Sequence, residues 1–233
     1  MKKKNLVEIH PSANEWYDRF DIQTVDVLTQ ADGNRFYTVN KIKLPSVTTV
    51  AKVFSKDYIE DWKKRIGKKK ASEITERAMD NGTKVHTLIE NYLSGSDDLA
   101  DTPKYHLTRL IPFLDSIEYL IFQEKVMWSE NLGMAGRNDL LAQIDGKILV
   151  VDFKTAKEYN EQYGKNPAYV FQIKSYAEMC RERGIPVDGG LVVYVPEYGP
   201  FIKQEISVNH DDARQIKKIV AKWKKEVDNS ETK

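Results

Sequence analysis

Two hydrophobic rhythms divide this chain. Up to about residue 119 the apolar positions recur mostly at helical spacing, and from residue 122 onward they fall into short β-like runs. In the first part, the aromatic residues Trp16, Tyr17 and Phe20 precede a strand-like stretch at 35–43. After Pro45-Ser46, the spacing of Val47, Val50, Ala51 and Phe54 predicts a short helix. Further helices are predicted over 57–69, 71–81, 82–92 and 105–119, with Val85, Leu88, Ile89 and Tyr92 forming the apolar face of the third of these. An acidic loop rich in Gly, Ser and Asp is expected at 95–103. The second part predicts strands at 122–129, 136–144 and 147–153, the last two joined by the turn Asp145-Gly146. A helix over 167–183 stops at Gly184-Ile185-Pro186, an apolar strand follows at 191–195, and a weaker strand at 201–208. The chain closes on a basic amphipathic helix at 211–227. This order predicts a single α/β domain over 1–233, with an N-terminal helical elaboration at 1–81, a core at 82–208, and a C-terminal helix and tail at 209–233.

Composition narrows the classes. With 41% hydrophobic and 10% aromatic residues, the 233-residue chain can build a sizeable core and is not a disordered sequence. Lys and Arg (36) nearly balance Asp and Glu (35), which excludes a histone-like polycation but leaves room for a local basic groove. Cys180 is the one cysteine, so neither a disulfide framework, a four-cysteine zinc site nor a cysteine-held iron–sulfur cluster is expected. No apolar run approaches the roughly 18 residues of a membrane span. The basic start at 1–5 leads into no apolar segment, so a soluble, cytoplasmic protein is expected.

The chemistry concentrates at strand ends. Ile148-Leu149-Val150-Val151 is apolar on both faces and then delivers Asp152-Phe153-Lys154. A period of two puts Asp152 and Lys154 on one face and Phe153 on the other. A carboxylate and an ammonium at the end of a buried strand are costly unless paired or coordinated. Asp139, in Gly136-Arg137-Asn138-Asp139, lies thirteen residues earlier across a tight hairpin, which would bring two carboxylates together beside a lysine. That set is a plausible hard-cation site, although for the tripeptide alone an ordinary Asp152–Lys154 salt bridge at a strand end is the favoured reading. His86 and Glu90 stand at i and i+4 on one helix, and Gln172 and Tyr176 do so on another; singly, each pair reads as an ordinary half-exposed face.

Taken in order, these signals resemble the PD-(D/E)xK nuclease superfamily and its RecB-like exonuclease branch. That branch carries a helix with a histidine, a G-x-x-D strand, a D/E-x-K strand and a helix bearing Q-x-x-x-Y, as here in Gly82–His86, Gly136–Asp139, Asp152–Lys154 and Gln172–Tyr176. Leu44-Pro45-Ser46-Val47-Thr48 is similar to the P-S-V-T segment of the mitochondrial genome maintenance exonucleases and their phage relatives. Asn138 stands where other members place proline, and the missing cysteines set the chain apart from relatives that hold an iron–sulfur cluster. The resemblance implies a restriction-endonuclease-like core with a mixed central sheet flanked by helices. It implies Mg²⁺ or Mn²⁺ held by His86, Asp139, Asp152 and the carbonyl of Phe153, with Asp139, Asp152 and Lys154 catalytic. Gln172 and Tyr176 would orient DNA, and Glu90 would lie behind the metal ligands. The implied activity is phosphodiester hydrolysis in DNA replication, recombination or repair, in a bacterial or phage-infected cell, with possible replication or recombination partners.

One basic cluster bears on the substrate. Lys63, Lys64, Arg65, Lys68, Lys69 and Lys70 include no intervening acid and follow Trp62. Charge runs are often only a solvated helix face. Cations interleaved with an aromatic also suit single-stranded DNA, where ammonium groups track phosphates and rings stack on bases. The expectation is an exonuclease preferring single-stranded ends; the alternatives are a structure-specific endonuclease of the same fold, or a non-catalytic DNA-binding assembly protein.

Overall fold

Side chains on successive positions of a strand point to opposite faces, and here both faces of the central strands are covered. In chain order the elements are β1 (Glu8–Ile9), α1 (Ala13–Asp18), β2 (Val25–Thr29), β3 (Arg35–Val39), β4 (Ile42–Pro45), α2 (Val47–Ala51), a 3-10 turn (Lys52–Phe54), α3 (Lys56–Ile66) and α4 (Lys68–Leu93). They continue with α5 (Lys104–Leu114), β5 (Ile117–Ser129), β6 (Met134–Ile144), β7 (Lys147–Glu158), α6 (Pro167–Arg181), β8 (Gly189–Tyr198), β9 (Ile202–Ile206) and α7 (Asp212–Glu231). The computed structural model describes residues 7–20, 25–30, 33–96, 104–158, 166–199 and 201–231.

Six strands form a mixed sheet in the order β1-β5-β6-β7-β8-β9. β5, β6 and β7 run as an antiparallel meander, β8 is parallel to β7 across the α6 crossover, and β1 is parallel to β5 at one edge. Val150, Val192 and Tyr194 enter a core shared with α1, α2, α6 and α7. Val151, Leu191, Val193 and Val195 enter the opposite core, where α4 contributes Val85, Leu88, Ile89 and Leu93, and α5 contributes Leu110 and Phe113. Each such side chain is worth about 1.5–3 kcal/mol of burial. This accounts for the uninterrupted apolar runs of β7 and β8, and the fold is a helix-flanked mixed sheet as the sequence predicts.

A second sheet, β2-β3-β4, was not foreseen. The run at 35–43 is a hairpin rather than one strand, turning at Asn40 and Lys41 with φ of 50° and 69°. Both turn residues are left-handed, as a two-residue hairpin demands, and lysine carries no turn signal. The N-terminal elaboration is therefore not purely helical: it includes this sheet, the short helix α1, and an edge strand for the main sheet. Ser46 caps α2, its Oγ accepting from the Thr49 backbone N–H at 2.9 Å, while the Thr49 hydroxyl accepts from Arg35 N–H at 2.8 Å. The P-S-V-T-like segment is thus a buried cap that fastens α2 to β3, with Ser46 and Thr49 both 2% exposed or less.

The helices before the sheet also differ from expectation. Residues 71–81 and 82–92 belong to one 26-residue helix, α4. Asn81-Gly82 resembles a stop, yet helix propagation through a single glycine costs only about 1 kcal/mol, which packing of α4 on the sheet offsets. The true break is Gly67, at φ 83°, where the chain leaves α3. The helix expected to reach residue 119 ends at Leu114, because Ile117 onward is already strand. Residues 97–103 of the expected acidic loop lie outside the described residues. Among the described residues, no helix is long and apolar enough to cross a membrane.

Candidate active site

The site forms where two strands part. The β6–β7 ladder ends at the pair Leu140–Val151, and the carboxylate of Asp139 takes over from the backbone: its Oδ2 accepts from Phe153 N–H at 2.8 Å. Asp152 and Lys154, on the face of Val150, stand alongside. The Lys154 ammonium lies 2.7 Å from Asp152 Oδ2 and donates to Oδ1 at 3.0 Å. From the other side, the apolar stripe of α4 packs on the sheet and presents His86. Its Nδ1 lies 3.7 Å from Asp139 Oδ1, and its ring meets Phe153 edge-on at 6.4 Å.

A fifth group, Glu124 on β5, completes the cluster and had no sequence signal. Its Oε1 lies 3.6 Å from His86 Nδ1, and Arg137 Nη1 lies 3.8 Å from its Oε2. In the sequence it is one more charge on a strand. In the fold it follows a register irregularity between Leu120 and Phe122 and adopts φ 49°. A non-glycine residue held left-handed costs roughly 1–3 kcal/mol, and such strain gathers at functional sites. His86, Glu124 and Asp139 each offer a ligand atom, all within 4.8 Å of one another. One nitrogen and two carboxylate oxygens suit a hard or borderline divalent cation. In this geometry Asp152, the other expected ligand, is engaged by Lys154 instead.

Burial and the site's own charges set its protonation. Burial, then repulsion by Asp152, raises Asp139 from 3.8 to about 7. Burial would push His86 down, but Asp139, the Glu124 hydrogen bond and Asp152 outweigh it and raise His86 to about 9. Lys154 behaves likewise: burial lowers it, while Asp152 and Asp139 more than compensate and raise it. Without a metal the site thus holds its protons, and a divalent cation would displace them. It also means that Lys154 is an ammonium here, a donor rather than a base.

Gln172 and Tyr176 lie one turn apart on the buried face of α6. The Tyr176 hydroxyl donates to the Arg137 carbonyl at 2.9 Å, and the residue is 3% exposed. A Cβ at Gly136 would lie 2.5 Å from that hydroxyl, so the glycine of G-x-x-D is required by the approach of the tyrosine. Tyr176 thereby braces the strand that carries Asp139. Gln172 is 6% exposed, and its Oε1 has no hydrogen-bond partner among the described residues. An unsatisfied buried acceptor costs about 1–3 kcal/mol and is consistent with a polar group arriving from outside. Glu90 is exposed and lines the recess of His86, Glu124 and Asp139 from the solvent side.

The basic cluster does not join the site directly. Lys63, Lys64 and Arg65 end α3, and Lys68, Lys69 and Lys70 begin α4, all exposed around the Gly67 corner, with Trp62 partly buried. Sixteen residues of helix separate Lys70 from His86, roughly 24 Å at 1.5 Å per residue.

A sequence profile described as the PD-(D/E)XK nuclease superfamily matches residues 104–232, more than half of the chain. No curated protein sequence matches significantly. Among solved structures, the chain is similar to the crystal structure of SSO0001, at 16% identity and a TM-score of 0.42, with 76% of this chain and 73% of that one covered. It is also similar to a phage-related exonuclease from Haemophilus somnus 129PT, at 13% identity and a TM-score of 0.34, with 65% and 83% covered.

Proposed function

This chain belongs to the PD-(D/E)XK nuclease superfamily, and from that premise we propose that it is a Mg²⁺- or Mn²⁺-dependent deoxyribonuclease acting exonucleolytically on single-stranded ends. The observation that carries the catalytic part is the meeting of Asp139, Asp152 and Lys154 with His86 and Glu124 where β6 and β7 separate. His86, Glu124 and Asp139 would hold the cation, with Asp152 and the Phe153 carbonyl completing the set once Lys154 yields Asp152. When bound, the cation supplies an acidified water and neutralises phosphate charge. The chain's own part is electrostatic and positional. Lys154, held as an ammonium, donates to the oxygens on which negative charge develops. Tyr176 and Gly136 fix the Asp139 strand, and Gln172 offers an unsatisfied acceptor on the same helix.

The single-strand preference rests on the exposed cations and Trp62 at the α3–α4 corner. A strand passing that corner along α4 would reach His86, and this helical elaboration would act as an arch that admits a free end. Replication, recombination or repair proteins are then the partners to expect. Digestion of labelled linear and circular single strands tests the reading. Linear strands should be degraded with Mg²⁺ and survive in chelator or with Asp152→Asn, and circles should resist. Activity in chelator would overturn the metal site, and rapid cleavage of circles would make the enzyme an endonuclease.

A further inference from the structure

Beside Lys154, a cavity of about 510 Å³ opens between α4, the end of β7, α6 and β8. That size falls within the roughly 300–1,000 Å³ of clefts that enclose small ligands. Its walls are mixed: Ile74 and Ala78 from α4 line it together with Tyr169 from α6 and Tyr194 from β8, beside the polar Asn81, Thr155 and Glu197. The two tyrosine rings pack at 6.2 Å between centroids, and the Lys154 ammonium lies 4.9 Å from the centre of the Tyr169 ring. Cations surround these walls. Lys154 and Lys157 come from β7, and Arg77, 71% exposed at its side chain, reaches Glu197 at 3.2 Å.

We propose that this cavity is a nucleotide-binding subsite of the substrate strand, in which one base lies between the Ile74–Ala78 surface and Tyr169 while Arg77 and Lys157 meet its flanking phosphates. The inference rests on the nuclease reading and gives the strand a place on the Lys154 side of the scissile bond. Three features select a nucleotide over an apolar ligand: aromatic and aliphatic walls at the centre, ammonium and guanidinium groups at the margin, and Lys154 shared with the active site. Bases of any sequence stack on aromatic rings, so the subsite positions a strand without reading its sequence. Ile74, 44% exposed on a helix whose neighbouring surface is strongly polar, acquires a purpose as part of the wall.

The test is binding of single-stranded oligonucleotides to the full-length protein in chelator, where strands remain intact. Each oligonucleotide carries one abasic residue, moved position by position along the strand. Loss of one stacked base should weaken binding by roughly 5- to 150-fold at one position or two adjacent ones. Tyr169→Ala should flatten that profile, and Tyr169→Phe, which keeps the ring, should preserve it. Ile74→Glu provides a second variant at a position exposed enough to tolerate change, and it too should flatten the profile. A flat profile in the wild type, or one unchanged in both Tyr169→Ala and Ile74→Glu, overturns the subsite. Competition by a deoxynucleoside monophosphate combined with a flat abasic profile would assign the cavity to free nucleotides and overturn the strand assignment. Cleavage of the unmodified strand with Mg²⁺ is measured in parallel: cleavage with a flat profile removes only the subsite, whereas no cleavage removes the nuclease reading beneath it.

Discussion

Raising the pH on the metal-free protein should weaken the fold through Asp139. In the unfolded chain this carboxyl titrates near 3.8, but in the fold near 7, because burial and then Asp152 oppose its charge. Between those values the folded state keeps a proton that the unfolded chain has released. The contribution is therefore fully present below the unfolded value and is lost as pH climbs through the folded one. At 1.36 kcal/mol per pH unit, the gap corresponds to roughly 4 kcal/mol once Asp139 is fully ionised. For a chain of this length each kcal/mol moves Tm by about 2–4 °C, giving a loss of roughly 8–16 °C. His86 acts in the same direction over a higher window: its folded value of about 9 exceeds 6.5, so its contribution fades as pH passes from 6.5 to 9. A divalent cation takes the place of these protons and should restore the stability. The assay is thermal melting of wild type and Asp139→Asn from about pH 5 to 9, in chelator and in saturating Mn²⁺. In chelator the variant should overtake the wild type as pH rises, since asparagine cannot ionise, while Mn²⁺ should stabilise the wild type far more than the variant. A wild-type-to-variant difference that stays level across this range in chelator, or equal stabilisation of both by Mn²⁺, would refute the placement of a buried, cation-seeking carboxylate.

Lys154→Ala should reduce turnover by roughly 10²–10³ while leaving cation affinity nearly intact, as read by single-turnover cleavage and Mn²⁺ titration; a near wild-type rate would reduce Lys154 to a salt-bridge partner. Glu124→Gln should raise the Mn²⁺ concentration needed for half-maximal activity with little change in Tm, and an unchanged metal requirement would exclude Glu124 from the ligand set. Gly136→Ala should destabilise the fold by about 1–3 kcal/mol, because the new methyl strikes the Tyr176 ring and hydroxyl, and Tyr176→Phe should recover part of that loss in denaturant unfolding. Changing Lys68, Lys69 and Lys70 together to Gln should flatten the log–log salt dependence of single-strand binding by up to ~2 if all three touch phosphate, and an unchanged slope would return the cluster to a solvated face.

Much of the core was legible because its signals are local. The apolar runs at 148–151 and 191–195 signal strands covered on both faces, and Asp145-Gly146 carries its turn in its own residue types, with φ of 51° and 71°. The order of His86, Asp139, Asp152 and Lys154 along helix and strand ends likewise belongs to the sequence. The hairpin at Asn40-Lys41 was hidden because lysine has no intrinsic preference for a left-handed turn and accepts one only when the flanking strands pair. The unbroken course of α4 through Gly82 was hidden too, since packing against the sheet, not helix propensity, carries it across. Glu124 is the clearest case at the site. Its place depends on a strand irregularity and a left-handed backbone that bring it to His86 and Asp139, residues 38 and 15 positions away in the chain. Tyr176 is its counterpart: the sequence offered a hydroxyl at helical spacing from Gln172, and only the close approach to Gly136 made it a brace. Residue type and short-range period determined which elements form and which groups stand at their ends. Long-range packing decided which of those groups meet, because burial, strain and charge at one point depend on segments that the chain brings together only on folding.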